Sequence, residues 1–241
     1  MNSFQRDENN DEILLSANRD QVMMEWEKPY MEASIDYLAP RGHVLEIGFG
    51  CAYSASQILK HPIKSYTIIE CDPVVIKKIK KWRENKAVPI DIVEGTWQEM
   101  LPRLGKFDEI YFDDFPLNIN TNSSQLEIAV SKQRIKIFMD VCIQNHTNIG
   151  SRFSFYMNGN EDVILSSDAE AFINKVYKTI DISIPEICNY RDLKEQRCTI
   201  PLFTKIKDYD FNVAQIYAMS TIMNGLSVLE KYNMEECQND I

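Results

Sequence analysis

The segment 43–52 constrains the fold of this chain more than any other part of the sequence. Its first five residues, His-Val-Leu-Glu-Ile, are mostly apolar and suit a short buried strand. Gly48 and Gly50 follow, and residues 53–60 then have the pattern of a helix. Gly48 would allow a sharp turn, and Gly50 would allow the backbone to approach a ligand closely. On its own, however, the Gly-x-Gly pattern fits a plain strand–helix turn equally well.

The rest of the chain alternates between predicted strands and predicted helices. Further strands are predicted at 65–70, 90–93, 107–112, 151–157, 180–184 and 198–206, and helices at 73–85, 96–104, 126–145 and 167–176. Strands separated by helices imply a mostly parallel sheet that is covered on both faces. Upstream, residues 1–12 are polar and are expected to be frayed, whereas residues 12–38 have a helical pattern. The sequence therefore predicts an α/β fold.

Two further features of the alternating region point to a nucleoside ligand. Glu70 lies about 20 residues after the glycine turn, at the end of the second predicted strand, where a carboxylate can accept both ribose hydroxyls. After the third strand comes Trp97, which suits an adenine contact and ordinary helix–sheet packing about equally. The full G-x-G-x-x-G spacing is absent, and this argues against NAD or FAD.

Composition excludes several classes of protein. The chain carries 36 acidic and 26 basic residues, a net charge of −10, which argues against a nucleic-acid-binding domain. Six cysteines without C-x-x-C spacing favour reduced thiols in a cytoplasmic protein. Three histidines without ligand spacing argue against a metal site. No apolar run reaches the roughly 20 residues of a membrane span, so we expect no membrane association.

Several stretches taken together resemble guanidinoacetate N-methyltransferase and its relative, the fungal-type arginine N-methyltransferase. They lie at 22–31, 44–50, 66–71, 95–97 and 107–116, and include W-E-x-P-Y-M, L-E-I-G-F-G and F-D-D-F-P in that order. The matches cover roughly residues 21–207. The resemblance implies a Rossmann-like class I methyltransferase fold with a seven-stranded, mostly parallel sheet and an antiparallel last strand.

The resemblance also implies a cofactor, S-adenosylmethionine, and a cationic substrate. For the cofactor we predict contacts from Met23, Glu46, Gly48, Gly50, Glu70, Cys71, Thr96, Trp97 and Asp113. The resemblance further implies that Glu27 and Asp113 bind a substrate guanidinium. Additional substrate contacts are predicted from Met31, Asp114, Phe115, Asn158 and Gly159.

The chemistry of a guanidinium suits paired carboxylates. A guanidinium is planar and remains cationic at physiological pH, and carboxylates match its fork of N–H donors. The methyl donor is a sulfonium, so two nearby carboxylates would offset the repulsion between two cations. Asp113 is our candidate for the base that removes a proton as the N–C bond forms. Taken alone, Asp113 could equally well cap the turn after its strand. A lone glutamate at position 27 would usually face solvent, so the role of Glu27 depends on the resemblance. Asp114 either lines the pocket or faces water.

The expected domain organisation has three parts. Residues 1–20 are predicted to be a flexible acidic N-terminus, residues 21–207 the methyltransferase domain with a lid helix at 21–41, and residues 208–241 a helical extension. That extension packs on the domain or forms a homodimer. The guanidino acceptor is a guanidinoacetate-like or arginine-like small molecule, with two alternatives: arginine in a protein, or a catalytically silent binding subunit. Phe115 replaces the family's usual Tyr, so guanidinoacetate itself is in doubt.

Overall fold

The N-terminal region forms a small antiparallel sheet. The structure, a computed structural model, describes residues 2–7, 10–115, 125–157, 172–183 and 197–208. Within them, β1 (Ser3–Arg6), β2 (Glu12–Leu15) and β3 (Gln21–Met24) pair in sequence order. The helix predicted at 12–38 is therefore wrong over its first half, and β1 lies within the segment predicted to be frayed.

A tight turn explains why no helix forms between β2 and β3. Ser16 Oγ accepts hydrogen bonds from the backbone N–H groups of Asn18, at 3.1 Å, and Asp20, at 3.0 Å. Arg19 has a φ of +67°, which is incompatible with a right-handed helix. Serine side chains that bond to nearby backbone groups favour turns over helices, and the apolar residues on either side then pair as strands.

The second half of the predicted lid helix does form. One 3-10 turn at Glu25–Glu27 leads into α1 (Lys28–Leu38), which has proline in its first turn, where a missing N–H costs nothing. The helix ends because Ala39 adopts a left-handed conformation with a φ of +46°. Its buried side, which includes Tyr30, Met31 and Ile35, packs into the core.

The central sheet has seven strands, as predicted. They are β4 (Gly42–Ile47), β5 (Ile63–Glu70), β6 (Ile90–Glu94), β7 (Phe107–Phe112), β8 (Thr147–Phe155), β9 (Ile173–Asp181) and β10 (Arg197–Lys205). Their order is β6-β5-β4-β7-β8-β10-β9. The first five run parallel, and β10 runs antiparallel to both of its neighbours. The predicted α/β fold with an antiparallel last strand is confirmed.

Helices cover both faces of this sheet. In the described part of the chain they are α1, α2 (Tyr53–Ile58), α3 (Pro73–Trp82), α4 (Trp97–Met100), which continues into a 3-10 turn at Leu101–Arg103, and α5 (Gln125–Asn145). The first three helices share one apolar core, and α4 and α5 share the other. Successive residues of one strand point to opposite faces, so Val44 belongs to the first core and Leu45 to the second.

The region around β9 differs from its prediction. Residues 173–176 were expected to end a helix, yet they begin β9, which starts seven residues before the predicted sixth strand. β9 is an edge strand whose side chains are mostly exposed, so it carries polar residues such as Asn174 and Lys175, and its strand pattern is weak. Residue 172 forms a turn, and residues 167–171 of the predicted helix and the extension at 208–241, apart from residue 208, lie outside the described residues.

The two edges of the parallel strands differ in what they offer a ligand. A hollow of about 470 Å³ lies at their amino ends, where Gly42, Lys64 and Asp108 are among the lining residues. The glycine turn after β4 lies at the opposite, carboxyl edge. Open α/β sheets bind ligands beyond the carboxyl ends of their strands, so the functional site belongs there. Within the described ranges, no helix combines the length and apolarity that a membrane crossing requires.

Candidate functional site

The glycine turn brings the ends of three neighbouring strands together. Gly48 has a φ of +79°, and its N–H donates to the carbonyl of Ile69, at the end of β5, at 3.0 Å. On the other side, the N–H of Asp113 donates to the carbonyl of Ile47 at 2.9 Å. A Cβ on Gly48 would overlap the backbone carbonyl oxygen of Asp113. Glycine is therefore required here by both conformation and space.

Glu70 is held rigidly beside this turn. Its Oε2 accepts from the N–H of Phe49 at 3.1 Å, and its Oε1 accepts from the N–H groups of Cys71, at 2.8 Å, and Asp72, at 2.9 Å. Burial raises the pKa of Glu70, whereas the three backbone donors act in the opposite direction. A carboxylate has about four acceptor positions, so Glu70 retains capacity for a hydroxyl donor.

The N-terminal sheet reaches the other side of the glycine turn through Met23. Met23 is buried, and its Sδ accepts from the N–H of Cys51 at 2.9 Å. A Cβ on Gly50, whose φ is +51°, would overlap the Met23 side chain. Cys71, which follows Glu70 in the chain, is an exposed residue. Partial desolvation nevertheless raises the pKa of its thiol to about 11. The structure thus brings together Met23, the glycine turn and Glu70.

The residues after β6 have mainly structural contacts. Thr96 is the N-cap of α4, and its Oγ1 accepts from the N–H of Glu99 at 3.4 Å. Trp97 is 5% exposed, with its ring edge-on to Phe112 and Phe138. Its indole N–H donates to Asp114 Oδ2 at 3.2 Å. Their contact with a cofactor stays a prediction.

Glu27 is a buried carboxylate at the start of α1. It is 2% exposed, and both of its oxygens have donors: Tyr156 OH to Oε1 at 2.7 Å, and the N–H of Met24 to Oε2 at 2.6 Å. Burial raises the pKa of Glu27 to about 7, and these two hydrogen bonds limit the rise. The carboxylate is therefore oriented by its partners and poised to change charge near neutral pH.

Asp113 follows β7 directly and faces the same region. It is half-buried, and burial raises its pKa well above the ordinary range, with further contributions from Glu27, Glu46 and Asp114. The backbone N–H of Tyr156, whose hydroxyl binds Glu27, donates to the carbonyl of Phe112 at 3.0 Å. This bond places the hydrogen-bond partner of Glu27 beside the residue that precedes Asp113, so two carboxylates that are 86 positions apart in the chain lie at the same edge of the sheet.

Asp114 points into a different environment from its neighbour. Arg134, on α5, donates from Nε to Asp114 Oδ1 at 2.7 Å and from Nη2 to the backbone carbonyl of Asp114 at 3.4 Å. Trp97 occupies the other carboxylate oxygen. Burial raises the pKa of Asp114, and Arg134 counteracts this. Asp114 is thus neutralised by an internal guanidinium.

The remaining predicted site residues differ in how far they are buried. Glu46 is fully buried inside β4 and accepts a hydrogen bond from Tyr66 OH, and burial raises its pKa to about 8. Met31 is buried in α1, whereas Phe115 is 40% exposed. Asn158 and Gly159 lie outside the described residues. In the described part of the chain, no group of His, Cys, Asp or Glu side chains has a metal-binding arrangement.

Sequence reasoning missed two residues that contact this site. Tyr156 follows β8, so the strand-end argument that selected Glu70 could also have found it. Arg134 lies inside a long helix and carries no local signal, because its partner is 20 residues away in the chain. These two residues hold Glu27 and Asp114, respectively.

Comparison with solved structures identifies the class of fold. N-methyltransferase NodS from Bradyrhizobium japonicum WM9, in complex with S-adenosyl-L-homocysteine, superposes with a TM-score of 0.53 at 14% identity. The match covers 76% of this chain and 89% of that one. At this identity the likeness establishes the fold alone: a Rossmann-like class I methyltransferase.

Sequence comparison identifies the family. The guanidinoacetate N-methyltransferase family model matches residues 3–194, and the chain belongs to that family. S-adenosylmethionine is the cofactor of these enzymes, and the glycine turn with the anchored Glu70 carboxylate fits its ribose. The chain thus has the fold and cofactor of an S-adenosylmethionine-dependent methyltransferase.

Two fungal relatives match a part of the chain. Protein arginine N-methyltransferase 2 from Candida glabrata is 36% identical over 115 residues, and its counterpart from Saccharomyces cerevisiae is 36% identical over 119 residues. Each match covers 44% of this chain and 28% of the relative. The matched region therefore spans less than a third of the length of these relatives.

Proposed function

We propose that this protein transfers a methyl group from S-adenosylmethionine to a guanidino nitrogen of an arginine-like acceptor. One observation carries the proposal: Tyr156 binds Glu27 through its hydroxyl and Phe112 through its backbone N–H, so Glu27 lies at the edge of the sheet where Asp113 follows Phe112 beside the glycine turn. Two mutually repelling, partly desolvated carboxylates are costly unless a cation lies between them. A guanidinium offers the matching charge and a planar set of donors.

The described residues suggest how the two carboxylates would divide the work. Glu27 has a donor on each oxygen, so its plane is held, and its remaining acceptor positions would bind the guanidinium. Asp113 has its backbone N–H bonded to Ile47, which holds its Cα at the edge of the sheet. Such orientation is a large part of what an enzyme contributes to a transfer between two bound groups.

The proton balance assigns a second role to Asp113. S-adenosylmethionine supplies an electrophilic methyl group, and transfer forms an N–C bond as the S–C bond breaks. The reacting nitrogen starts as part of a protonated guanidinium, so one N–H proton must leave. Asp113, whose pKa is raised by burial and by its acidic neighbours, is a stronger base than an ordinary carboxylate and would accept that proton.

Two acceptor classes fit this chemistry. The family description names guanidinoacetate, a small guanidino acid. The fungal relatives, by contrast, are named protein arginine N-methyltransferases, and this favours arginine within a protein as the second candidate. Both share the guanidinium that Glu27 and Asp113 would bind, so the core of the proposal is independent of the choice.

An acceptor panel tests the proposal. The full chain is incubated with labelled S-adenosylmethionine and, separately, guanidinoacetate, free arginine and arginine-rich peptides. We expect label on at least one of these and a loss of more than about a hundredfold in Asp113→Asn, as for removal of a general base. If the protein binds S-adenosylhomocysteine yet methylates no acceptor of the panel, the guanidino proposal fails.

A further inference from the structure

Arg134 and Asp114 form an ion pair at the edge of the proposed acceptor site. The Nε of Arg134 lies 2.7 Å from Asp114 Oδ1, and Trp97 Nε1 lies 3.2 Å from Oδ2. The side chains of Arg134 and Asp114 are 27% and 18% exposed, so solvent screens the pair only in part. Both carboxylate oxygens of Asp114 are therefore engaged within the protein, unlike those of a residue that receives a substrate.

We infer that Arg134 is a positioning residue that keeps Asp114 out of the acceptor site and leaves Asp113 as the one strand-end carboxylate available to a guanidinium. The inference rests on the proposed function. It makes the Asp-Asp pair asymmetric: one carboxylate binds an internal guanidinium and the other binds the acceptor. Without Arg134, two adjacent carboxylates would compete for one cation, and their repulsion would favour protonation of Asp113.

The charges around Asp113 come from several elements. Glu27 at the start of α1, Glu46 on β4 and Asp114 in its own segment all act to raise the pKa of Asp113, and Asp113 in turn acts to raise the pKa of the hydroxyls of Tyr30 on α1 and Tyr111 on β7. Arg134, on α5, is the cation among these groups and acts on Asp113 in the opposite direction to the carboxylates. Removal of Arg134 should therefore raise the pKa of Asp113 further.

The contacts of Trp97 show why Asp114 can be held apart from Asp113. The Trp97 ring packs edge-on to Phe112 and Phe138, which belong to β7 and α5. Trp97, the end of β7 and α5 thus form one packed unit, and Asp114 is bonded to two of its members. Because Trp97 is buried, its indole N–H has a defined direction, so the orientation of Asp114 does not depend on Arg134 alone.

Two variants separate charge from structure. Arg134→Met leaves Asp114 without its cation, whereas Arg134→Met with Asp114→Asn removes both charges. For the guanidino acceptor that the wild type methylates, we expect Arg134→Met to raise KM about tenfold at pH 7 and to move the midpoint of the pH profile of kcat/KM upward by about one unit. The double variant should return that midpoint to the wild-type value.

The pair of Arg152 and Glu109 supplies a matched control. Arg152 Nη2 lies 2.5 Å from Glu109 Oε1, and these side chains are 27% and 6% exposed. Glu109 lies near the amino edge of the sheet, by the hollow and away from the glycine turn. Arg152→Met and Arg152→Met with Glu109→Gln should lower stability without moving the pH midpoint. If Arg134→Met behaves in the same way, or the double variant does not restore the midpoint, the inference is wrong.

A second measurement is independent of the acceptor. The carboxyl carbon of Asp113, assigned by comparison with Asp113→Asn, is titrated by NMR in the protein bound to S-adenosylhomocysteine. Arg134→Met should raise the pKa of Asp113, and the double variant should bring it back. An unchanged pKa in Arg134→Met overturns the inference even if methyl transfer is found. A raised pKa in a protein that methylates no guanidino compound supports the electrostatic role and refutes the proposed function.

Discussion

Tyr156 donates its hydroxyl hydrogen to Glu27 Oε1 across 2.7 Å and so joins the end of β8 to the start of α1. The ring of Tyr156 also lies edge-on to that of Tyr30, with centroids 5.1 Å apart. Tyr30 in turn accepts from the N–H of Met157 and donates to the carbonyl of Thr199. Glu27 is thereby oriented by the central sheet as well as by its own helix.

Removing this hydroxyl should weaken acceptor binding selectively. In Tyr156→Phe, Glu27 loses a hydrogen bond to a charged group, an interaction that contributes about 1.5–3 kcal/mol. The pKa of Glu27 should rise further, because that bond favours the ionised form. We expect a roughly tenfold higher KM for the guanidino acceptor at pH 7. The affinity for S-adenosylhomocysteine, measured by calorimetry, should not change.

Tyr37→Phe is the control for this variant. Tyr37 lies at the far end of α1, where its ring stacks under the Lys178 ammonium at 5.6 Å. The Tyr37→Phe variant should have the wild-type KM for the guanidino acceptor. Equal KM values for Tyr156→Phe and wild type would show that Glu27 does not need this orientation.

Neutralising Glu27 should stabilise the fold while it impairs function. The pKa of Glu27 is raised from 4.5 to about 7, so the folded protein binds a proton more tightly than the unfolded chain does. The stability contributed by protonated Glu27 is therefore lost as the pH rises from about 4.5 to about 7. Glu27→Gln avoids that loss and should be more stable than the wild type at pH 8, by up to about 3 kcal/mol, with little difference at pH 5.

Denaturant unfolding at the two pH values measures this effect. Glutamine can still accept from the N–H of Met24 and donate to Tyr156, so packing is preserved. A Glu27→Gln variant that is less stable than the wild type at pH 8 would contradict the raised pKa. Together with the titration of Asp113, that of Glu27 should make kcat/KM for a guanidinium acceptor rise between pH 6 and pH 8, because only the carboxylate forms bind the cation.

Gly48→Ala should disturb the ends of β4 and β7 together. The new Cβ would overlap the carbonyl oxygen of Asp113, and a φ of +79° adds about 1 kcal/mol of conformational strain. Gly150→Ala is the matched control, since Gly150 has a φ of +92° with no atom within 4 Å of an added Cβ. Both variants should lose stability in denaturant unfolding, Gly48→Ala by more. Of the two, Gly48→Ala alone should also weaken binding of S-adenosylhomocysteine.

The central sheet could be predicted because its signals are local. Strands β4 to β7 each contain a short apolar run, and the glycine turn after β4 marks the carboxyl edge, whereas the exposed edge strand β9 has no such run and was predicted poorly. The N-terminal sheet could not be predicted in this way, because the apolar residues of β2 and β3 also fit a helical stripe. The bonds of Ser16 to Asn18 and Asp20 decide between the two, and these depend on the turn having formed.

Of the proposed site, the strand-end argument selected Glu70, whereas the family resemblance selected Asp113. Glu70 and Asp113 end parallel strands, and the structure brings both to the same edge of the sheet. Glu27 lies on no strand, so only the family resemblance selected it. Asp114 was predicted as a substrate contact, but its pairing with Arg134 was beyond sequence reasoning, because it depends on the packing of α5 against the sheet. Long-range partners of this kind leave no periodic pattern in the chain.

Binding of arginine and citrulline tests most directly whether Glu27 and Asp113 receive a guanidinium. The two compounds have nearly the same shape, but citrulline carries a neutral urea in place of the cation. Each is titrated by calorimetry into the protein bound to S-adenosylhomocysteine. We predict that the wild type binds arginine at least about tenfold more tightly than citrulline and that Asp113→Asn loses this preference. Equal affinity of the wild type for both compounds, or an undiminished preference for arginine in Asp113→Asn, would contradict the proposal that Glu27 and Asp113 bind a guanidinium.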